Sequence, residues 1–92
     1  MRNWLSWLGW HRSAPQLDVV LYTRVGCHLC DDAKVILQRY LPHCPIVEVD
    51  IDTDPELRQQ YDHEVPVVQI DGQVRFRGRI NEVLLRRLIR HG

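Results

Sequence analysis

Apolar and polar residues alternate in blocks that predict a strand followed directly by a helix. The run LDVVLYT, from Leu17 to Thr23, is apolar and β-branched, lies between Pro15 and Gly26, and has the length of a buried parallel strand. From His28 to Leu41 the apolar positions take a helical spacing, and Pro42 marks the end of that segment. The apolar positions of this predicted helix are Leu29, Ala33, Ile36, Leu37 and Tyr40.

The second half of the chain predicts a strand, a short helix, a hairpin and a closing helix. IVEVDI reads as the strand, and Asp54 and Pro55 suit the N-cap and first position of a helix over DPELRQQYD. Asp71 and Gly72 join two strand-like segments, and both residue types tolerate the positive φ of a type I′ turn. In the closing helix, INEVLLRRLIRH, the predicted apolar side holds Ile80, Val83, Leu84 and Leu88, with Leu85 at its edge.

The order βαβαββα defines an α/β fold. A right-handed helical crossover makes the first two strands parallel, and the hairpin completes a four-stranded mixed sheet flanked by helices. This is the order of the thioredoxin fold. The length of 92 residues fits one such domain, which we place at residues 17–92 after an extension of residues 1–16.

The extension differs in composition from the domain. It is a poor signal peptide and too short to span a bilayer. One interpretation is an interfacial membrane anchor flanked by Arg2 and Arg12. We favour a segment that packs on its own domain or on a neighbour, because its apolar positions form no clean helical stripe. The tryptophans of the chain all lie here, as Trp4, Trp7 and Trp10.

Charge and cysteine content narrow the function classes. Lys and Arg together number 12, as do Asp and Glu, so the formal net charge is zero and nucleic acid or anionic lipid is disfavoured as a partner. Five arginines, Arg75, Arg77, Arg86, Arg87 and Arg90, are therefore read as a solvated face. Three cysteines are too few for a secreted disulfide scaffold. We expect a reducing compartment, the cytoplasm, and no transmembrane segment.

The candidate chemistry is the Cys27-His28-Leu29-Cys30 motif at the join of the first strand and helix. A cysteine at a helix N-terminus in a C-x-x-C motif has its pKa lowered from about 8.5 to roughly 3.5–7.5, which supplies the thiolate that disulfide exchange needs. Cys27 is therefore the predicted nucleophile, and Cys30, one turn later and more enclosed, the resolving cysteine.

Charged neighbours act on this predicted thiolate in opposite directions. A protonated His28 or Arg24 would stabilise it, together with the free amides of the helix. Asp31 and Asp32 would disfavour a second anion nearby. We expect a net lowering of the pKa of Cys27.

The stretches YTRVGCHLC, EVPVV and FRGRINEVL resemble the glutaredoxins, and more closely a group of short glutaredoxin-like proteins, from Leu17 to the C-terminus. The resemblance implies a thioredoxin fold and thiol–disulfide oxidoreductase activity. It makes Arg24 the counterpart of the family's usual lysine among the substrate-binding residues. It also implies a cis Val65–Pro66 bond opposite Cys27, with the backbone of Val65 bound to the glutathione cysteine.

The third stretch departs from the family pattern. Where glutaredoxins have two glycines, a variable residue and an aspartate for the γ-glutamyl end of glutathione, this chain has Gly78, Arg79, Ile80 and Asn81. By resemblance, Gly78, Arg79 and Asn81 are candidate glutathione contacts. Arg79 either blocks the backbone approach that the second glycine permits or binds a substrate carboxylate through its forked donors.

Three alternatives to a redox enzyme stay open at this stage. A zinc site would need ligands such as His43 or Cys44 beside the motif, and the spacing argues against it. A glutathione-assisted iron–sulfur cluster shared across a dimer is a second alternative, and a non-catalytic binding module with idle cysteines a third. Cys44 itself is read as a bystander or half-buried thiol.

The prediction is thus a monomeric thiol–disulfide oxidoreductase with Cys27 and Cys30 as its redox pair. It would reduce protein disulfides or glutathione mixed disulfides, bind no metal or resident cofactor, and use glutathione as a candidate co-substrate.

Overall fold

The computed structural model describes residues 17–91, and the extension with its two interpretations lies outside the described residues. The described chain forms a four-stranded sheet and three α-helices in the predicted order. The strands are β1 (Val19–Thr23), β2 (Ile46–Asp50), β3 (Val67–Ile70) and β4 (Gln73–Arg77). The helices are α1 (His28–Tyr40), α2 (Pro55–Tyr61) and α3 (Glu82–His91).

The sheet is mixed, with strand order β2-β1-β3-β4. β1 runs parallel to β2 and antiparallel to β3, and β3 runs antiparallel to β4. The register places Leu21 beside Glu48 of β2 and Val68 of β3. The sheet topology therefore confirms the predicted α/β thioredoxin fold.

Alternation along the strands divides the core into two layers, since successive side chains point to opposite faces of a sheet. On one face, buried residues of β1, β3 and β4 pack with α1 and α3, and on the other a smaller cluster includes α2. The larger layer is built around Val19, Leu21, Val68, Ile70, Phe76, Ala33, Leu37 and Leu85. The smaller layer holds Ile51, Tyr61 and Val67, with Tyr22, Leu57, Val65 and Val74 against it.

The hairpin turn and the N-cap of α2 form at the residues predicted from the sequence. Asp71 and Gly72 have φ values of 51° and 84°, the two positive angles that a type I′ turn requires. The carboxylate of Asp54 accepts a hydrogen bond from the amide of Glu56 at 2.9 Å, which confirms the predicted N-cap of α2. In the residues described, no helix is long and apolar enough to cross a membrane.

Two details differ from the predictions. β2 ends at Asp50, and Ile51 starts a 3-10 turn because the Asp50 carboxylate accepts a hydrogen bond from the amide of Asp52 at 2.9 Å. In α3 the predicted apolar side is rotated: Leu85 is 0% exposed, whereas Val83 and Leu84 are 53% and 44% exposed. Ile80 and Leu88 lie in or against the core as predicted, and Leu85 and Ile89 take the places predicted for Val83 and Leu84.

Candidate redox site

Cys27 and Cys30 form a disulfide at the N-terminus of α1, with their Cα atoms 5.2 Å apart. Cys27 is the N-cap, and its Sγ atom accepts a hydrogen bond from the amide of Cys30 at 3.1 Å. The outer cysteine is half-buried and the inner one is 1% exposed. The structure thus confirms that Cys30 is the more enclosed of the two.

The loop between β1 and α1 fixes the position of Cys27. Its amide donates to the carbonyl of Arg24 at 3.3 Å, and its carbonyl accepts from the amide of Asp31 at 3.1 Å. The sulfur therefore lies at the positive end of the helix dipole, where negative charge is stabilised. His28 and Asp31 are exposed beside it.

A second loop carries the Val65–Pro66 bond, which is cis as the family resemblance implied. Pro66 is buried, and Val65 packs against the smaller core layer. The amide of Gly78 donates to the carbonyls of Pro66 at 2.8 Å and of Glu64 at 3.1 Å. The predicted substrate residues Val65, Pro66 and Gly78 are thus brought into one hydrogen-bonded unit.

An ion pair also stabilises this hydrogen-bonded unit. The carboxylate of Glu64 pairs with the guanidinium of Arg77, the last residue of β4. Gly78, the next residue, has a φ of 80°, a backbone conformation that favours glycine. The end of β4 is therefore tied to the loop before β3 by both backbone and side-chain contacts.

Arg24 is bound on all three of its guanidinium nitrogens. Nε and Nη2 donate to the two carboxylate oxygens of Asp52 at 3.0 and 2.9 Å. Nη2 also donates to Oδ1 of Asp62 at 2.6 Å, and Nη1 donates to the carbonyl of Asp62 at 3.1 Å. We call Arg24, Asp52 and Asp62 the arginine clamp. It joins the loop before Cys27 to the turn after β2 and to the end of α2.

The hydrogen bonds of the arginine clamp shift the pKa values of its three side chains. Hydrogen bonds from Arg24 hold the pKa of Asp52 and of Asp62 below the ordinary value of 3.8. The pKa of Arg24 is raised above its ordinary value, mainly by its hydrogen bonds to Asp52 and next by those to Asp62. All three groups are charged at neutral pH.

Asn81 and Arg79 occupy the turn before α3 in different ways. Oδ1 of Asn81 accepts a hydrogen bond from the amide of Leu84 at 3.1 Å, so its side chain caps the helix. Arg79 is exposed, and its guanidinium forms no ion pair with any residue of the described chain. It lies on a groove of about 370 Å³ that also includes Leu29 and Gly78. The groove connects the cysteine motif with the turn.

Two further observations concern Cys44 and the zinc alternative. Cys44 lies in the connection between α1 and β2 and is 7% exposed, more buried than the predicted half-buried thiol. Across residues 17–91, no three side chains of His, Cys, Asp or Glu are grouped so that they could hold a metal ion.

Comparison with known proteins identifies the family to which this site belongs. The model of the Glutaredoxin-like domain (DUF836) matches residues 18–90. The chain belongs to the glutaredoxin-like family. It is 34% identical over 74 residues to the Glutaredoxin-like protein YDR286C homolog of Dictyostelium discoideum, a match that covers 72% of this chain and 68% of the relative.

Solved structures with the same fold superpose on this chain. Protein XcR50 of X. campestris superposes with a TM-score of 0.67 at 31% identity, covering 80% of this chain and 97% of its own. The NTD_N/C domain of the alkylhydroperoxide reductase AhpF from Enterococcus faecalis superposes with a TM-score of 0.63 at 28% identity. That match covers 83% of this chain and 39% of the AhpF chain.

The sequence did not reveal the two carboxylates of the arginine clamp in this glutaredoxin-like domain. Asp52 and Asp62 lie 28 and 38 residues after Arg24, and no local spacing connects them. The available signal was their placement after a strand and at the end of a helix, both at the edge of the sheet where β1 ends. That placement could have suggested proximity to Arg24, but not which groups pair.

Proposed function

We propose that this protein is a thiol–disulfide oxidoreductase in which Cys27 is the nucleophile and Cys30 the resolving cysteine. One observation carries the proposal: the two sulfurs are bonded at a helix N-terminus, with the outer one half-buried and the inner one enclosed. A substrate can reach Cys27 directly, whereas Cys30 is accessible chiefly to Cys27. Membership in the glutaredoxin-like family supports the same chemistry.

In the reducing direction, the Cys27 thiolate attacks one sulfur of a substrate disulfide. The substrate S–S bond breaks, a mixed disulfide forms on Cys27, and the first leaving thiolate takes a proton from solvent. Cys30 then loses its proton and attacks the Cys27 sulfur, which releases the second substrate thiol. The substrate gains two electrons and two protons, and the protein keeps the Cys27–Cys30 disulfide.

The helix terminus contributes to the first step. The Cys30 amide already donates to the Cys27 sulfur, and the same donor would stabilise the thiolate before attack. The cycle is completed when two glutathione molecules or one dithiol reductase supply two electrons to the internal disulfide.

The loop around Val65 is the proposed binding edge for the substrate backbone. Val65 precedes the cis proline, and hydrogen bonds from Gly78 hold this loop in place. Arg79 and Asn81 follow Gly78 closely in the chain, although the Asn81 side chain is engaged in capping α3. Disulfide-containing proteins and glutathione mixed disulfides are the proposed substrates, acted on by a monomer in the cytoplasm.

Trapping the mixed disulfide tests the assignment of roles. Cys30→Ser should accumulate a one-to-one mixed disulfide with a small disulfide substrate, because the attacked Cys27 sulfur can no longer be resolved. Cys27→Ser is the matched control and should form no rapid adduct. An adduct that accumulates on Cys30 of Cys27→Ser as fast as on Cys27 of Cys30→Ser would refute the roles, and mass spectrometry distinguishes the two.

A further inference from the structure

The arginine clamp lies on one flank of the nucleophile. Arg24 is three residues before Cys27, and its carbonyl accepts the Cys27 amide hydrogen bond. Asp62 lies three residues before Val65, in the connection from α2 to β3. A guanidinium with free donors recognises a carboxylate through two parallel hydrogen bonds.

In this protein four of the five N–H donors of Arg24 are already used. Four hydrogen bonds of 2.6 to 3.1 Å engage its three nitrogens, and the fork that would hold a carboxylate with two bonds is occupied by Asp52. A guanidinium has five N–H donors in all. Only one N–H, on Nη1, is left, so a carboxylate that is to be held by two bonds must displace a partner attached to the same chain, which competes at high effective concentration.

The charges around Arg24 also do not favour the binding of an anionic substrate. Asp52 and Asp62 carry two negative charges against the one positive charge of Arg24. Arg58 interacts electrostatically with both carboxylates, and exposed His63 lies 3.4 Å from Asp62. Arg24 and Arg58 together match the two carboxylates in charge, so neither arginine is an uncompensated cation.

We propose that Asp52 and Asp62 determine the substrate preference of Cys27 by withdrawing Arg24 from anion binding. The inference rests on the proposed thiol–disulfide exchange at Cys27. Disulfides that carry carboxylates, such as glutathione disulfide, gain no electrostatic assistance on this flank, and uncharged or basic peptide disulfides are accepted at least as well. Arg24 then acts as a positioning residue, which holds the loop before Cys27 against the end of α2.

The test measures single-turnover rates for the reduced full-length protein with three probe disulfides. The probes are glutathione disulfide, which is anionic, bis(2-hydroxyethyl) disulfide, which is neutral, and cystamine, which is cationic. Loss of the Cys27 thiol is followed by acid quenching and mass spectrometry, and each rate is divided by that of a free cysteine derivative with the same probe. This correction removes the intrinsic reactivity of the disulfide.

The informative variant is Asp52→Asn/Asp62→Asn, which leaves Arg24 charged and without its carboxylate partners. The corrected rate ratio of glutathione disulfide to the neutral probe should rise about tenfold, the value of one charge-assisted hydrogen bond at an exposed site. Asp18→Asn/Glu48→Gln is the control, because it removes two carboxylates that do not contact Arg24. Its ratio should change by less than about twofold.

A third variant separates Arg24 from the general loss of negative charge. Arg24→Met added to Asp52→Asn/Asp62→Asn should return the ratio to the wild-type value. The proposal is overturned if the ratio does not rise in the double variant, if the gain persists without Arg24, or if all three probes change equally. Should the double variant unfold, the single variants Asp52→Asn and Asp62→Asn should each raise the ratio about threefold, and an unchanged ratio in both overturns the proposal.

Failure of the proposed function would be visible separately. The rate ratio concerns only the first exchange at Cys27, which needs no catalytic cycle. A protein that forms the mixed disulfide but never resolves it through Cys30 would contradict the proposed function and leave the test of Arg24 intact.

Discussion

The sulfur of Cys27 accepts a hydrogen bond from the backbone amide of Cys30 at 3.1 Å, so Cys27 is both a member of the disulfide and the N-cap of α1. The same geometry that starts the helix therefore supplies a donor to the sulfur that is proposed to attack. Folding of α1 and activation of the nucleophile depend on one arrangement of atoms.

Alkylation of the reduced protein should distinguish the three cysteines. Cys27 should react roughly ten times faster than Cys30 or Cys44 at pH 7, because a helix N-terminus increases the thiolate fraction and the other two are buried. Iodoacetamide labelling with peptide mass spectrometry measures the three rates. Equal labelling of Cys27 and Cys44 would contradict the assignment of Cys27 as the activated thiol.

The packing of α3 predicts very different costs for two adjacent leucines. Leu85→Ala should lower the free energy of unfolding by about 2–5 kcal/mol, because Leu85 is completely buried and its removal leaves a cavity. Leu84→Ala, on the exposed side of the same helix, should cost no more than about 0.5 kcal/mol. Urea unfolding of both variants makes the comparison, and similar costs would show that the helix faces the core differently.

These two leucines also show how far the sequence determines the fold. Periodicity predicted the existence and position of α3, but LLRRLI allows two overlapping apolar sides. Packing in the larger core layer selects the one centred on Leu85. The turn at Asp71 and Gly72 was predictable because its backbone angles require those residue types. The cis bond before Pro66 came from the family resemblance alone, since local chemistry favours trans.

Asn81 should stabilise α3 through its cap. Asn81→Ala should lower the free energy of unfolding by about 1 kcal/mol, because the Leu84 amide loses its side-chain acceptor. Asn81→Asp is the control, and it should retain or exceed wild-type stability, since it keeps an acceptor and adds negative charge at the helix N-terminus. Equal destabilisation by both substitutions, measured by urea unfolding, would show that the cap is not what Asn81 contributes.

The arginine clamp predicts a specific pH dependence of stability. Arg24 depresses the folded pKa of Asp52 and Asp62 below the ordinary 3.8, so their contribution is complete above that value and is lost as the pH falls through the depressed pKa. Arg24 itself stays charged throughout this range. Wild type should therefore be more stable than Arg24→Met at pH 6, and the difference should shrink below pH 4.

Urea midpoints of the two proteins between pH 2 and 7 test this dependence. Lys34→Met is a useful control, because Lys34 pairs with Glu48 and takes no part in the clamp. A difference between wild type and Arg24→Met that persists unchanged at pH 2 would show that the clamp does not act through ionised carboxylates.

The cysteine pair could be predicted from the sequence, whereas the partners of Arg24 in the arginine clamp could not. The positions of Cys27 and Cys30 follow from one short motif at a predicted strand–helix join, and their location and unequal burial were confirmed. The partners of Arg24 depend on how the turn after β2 and the end of α2 meet the β1–α1 loop. That meeting is a property of the assembled sheet and not of any local pattern.

The most direct test of the proposed function is the catalysed reduction of a disulfide substrate, compared for wild type, Cys27→Ser and Cys30→Ser. Reduction of a small glutathione mixed disulfide, with glutathione as reductant, and of a protein disulfide, with dithiothreitol as reductant, should both be faster with wild type than without protein. Cys27→Ser should abolish both reactions, and Cys30→Ser should abolish or slow the dithiol route. Wild type that accelerates neither reaction, or Cys27→Ser with undiminished activity, would contradict the proposed function.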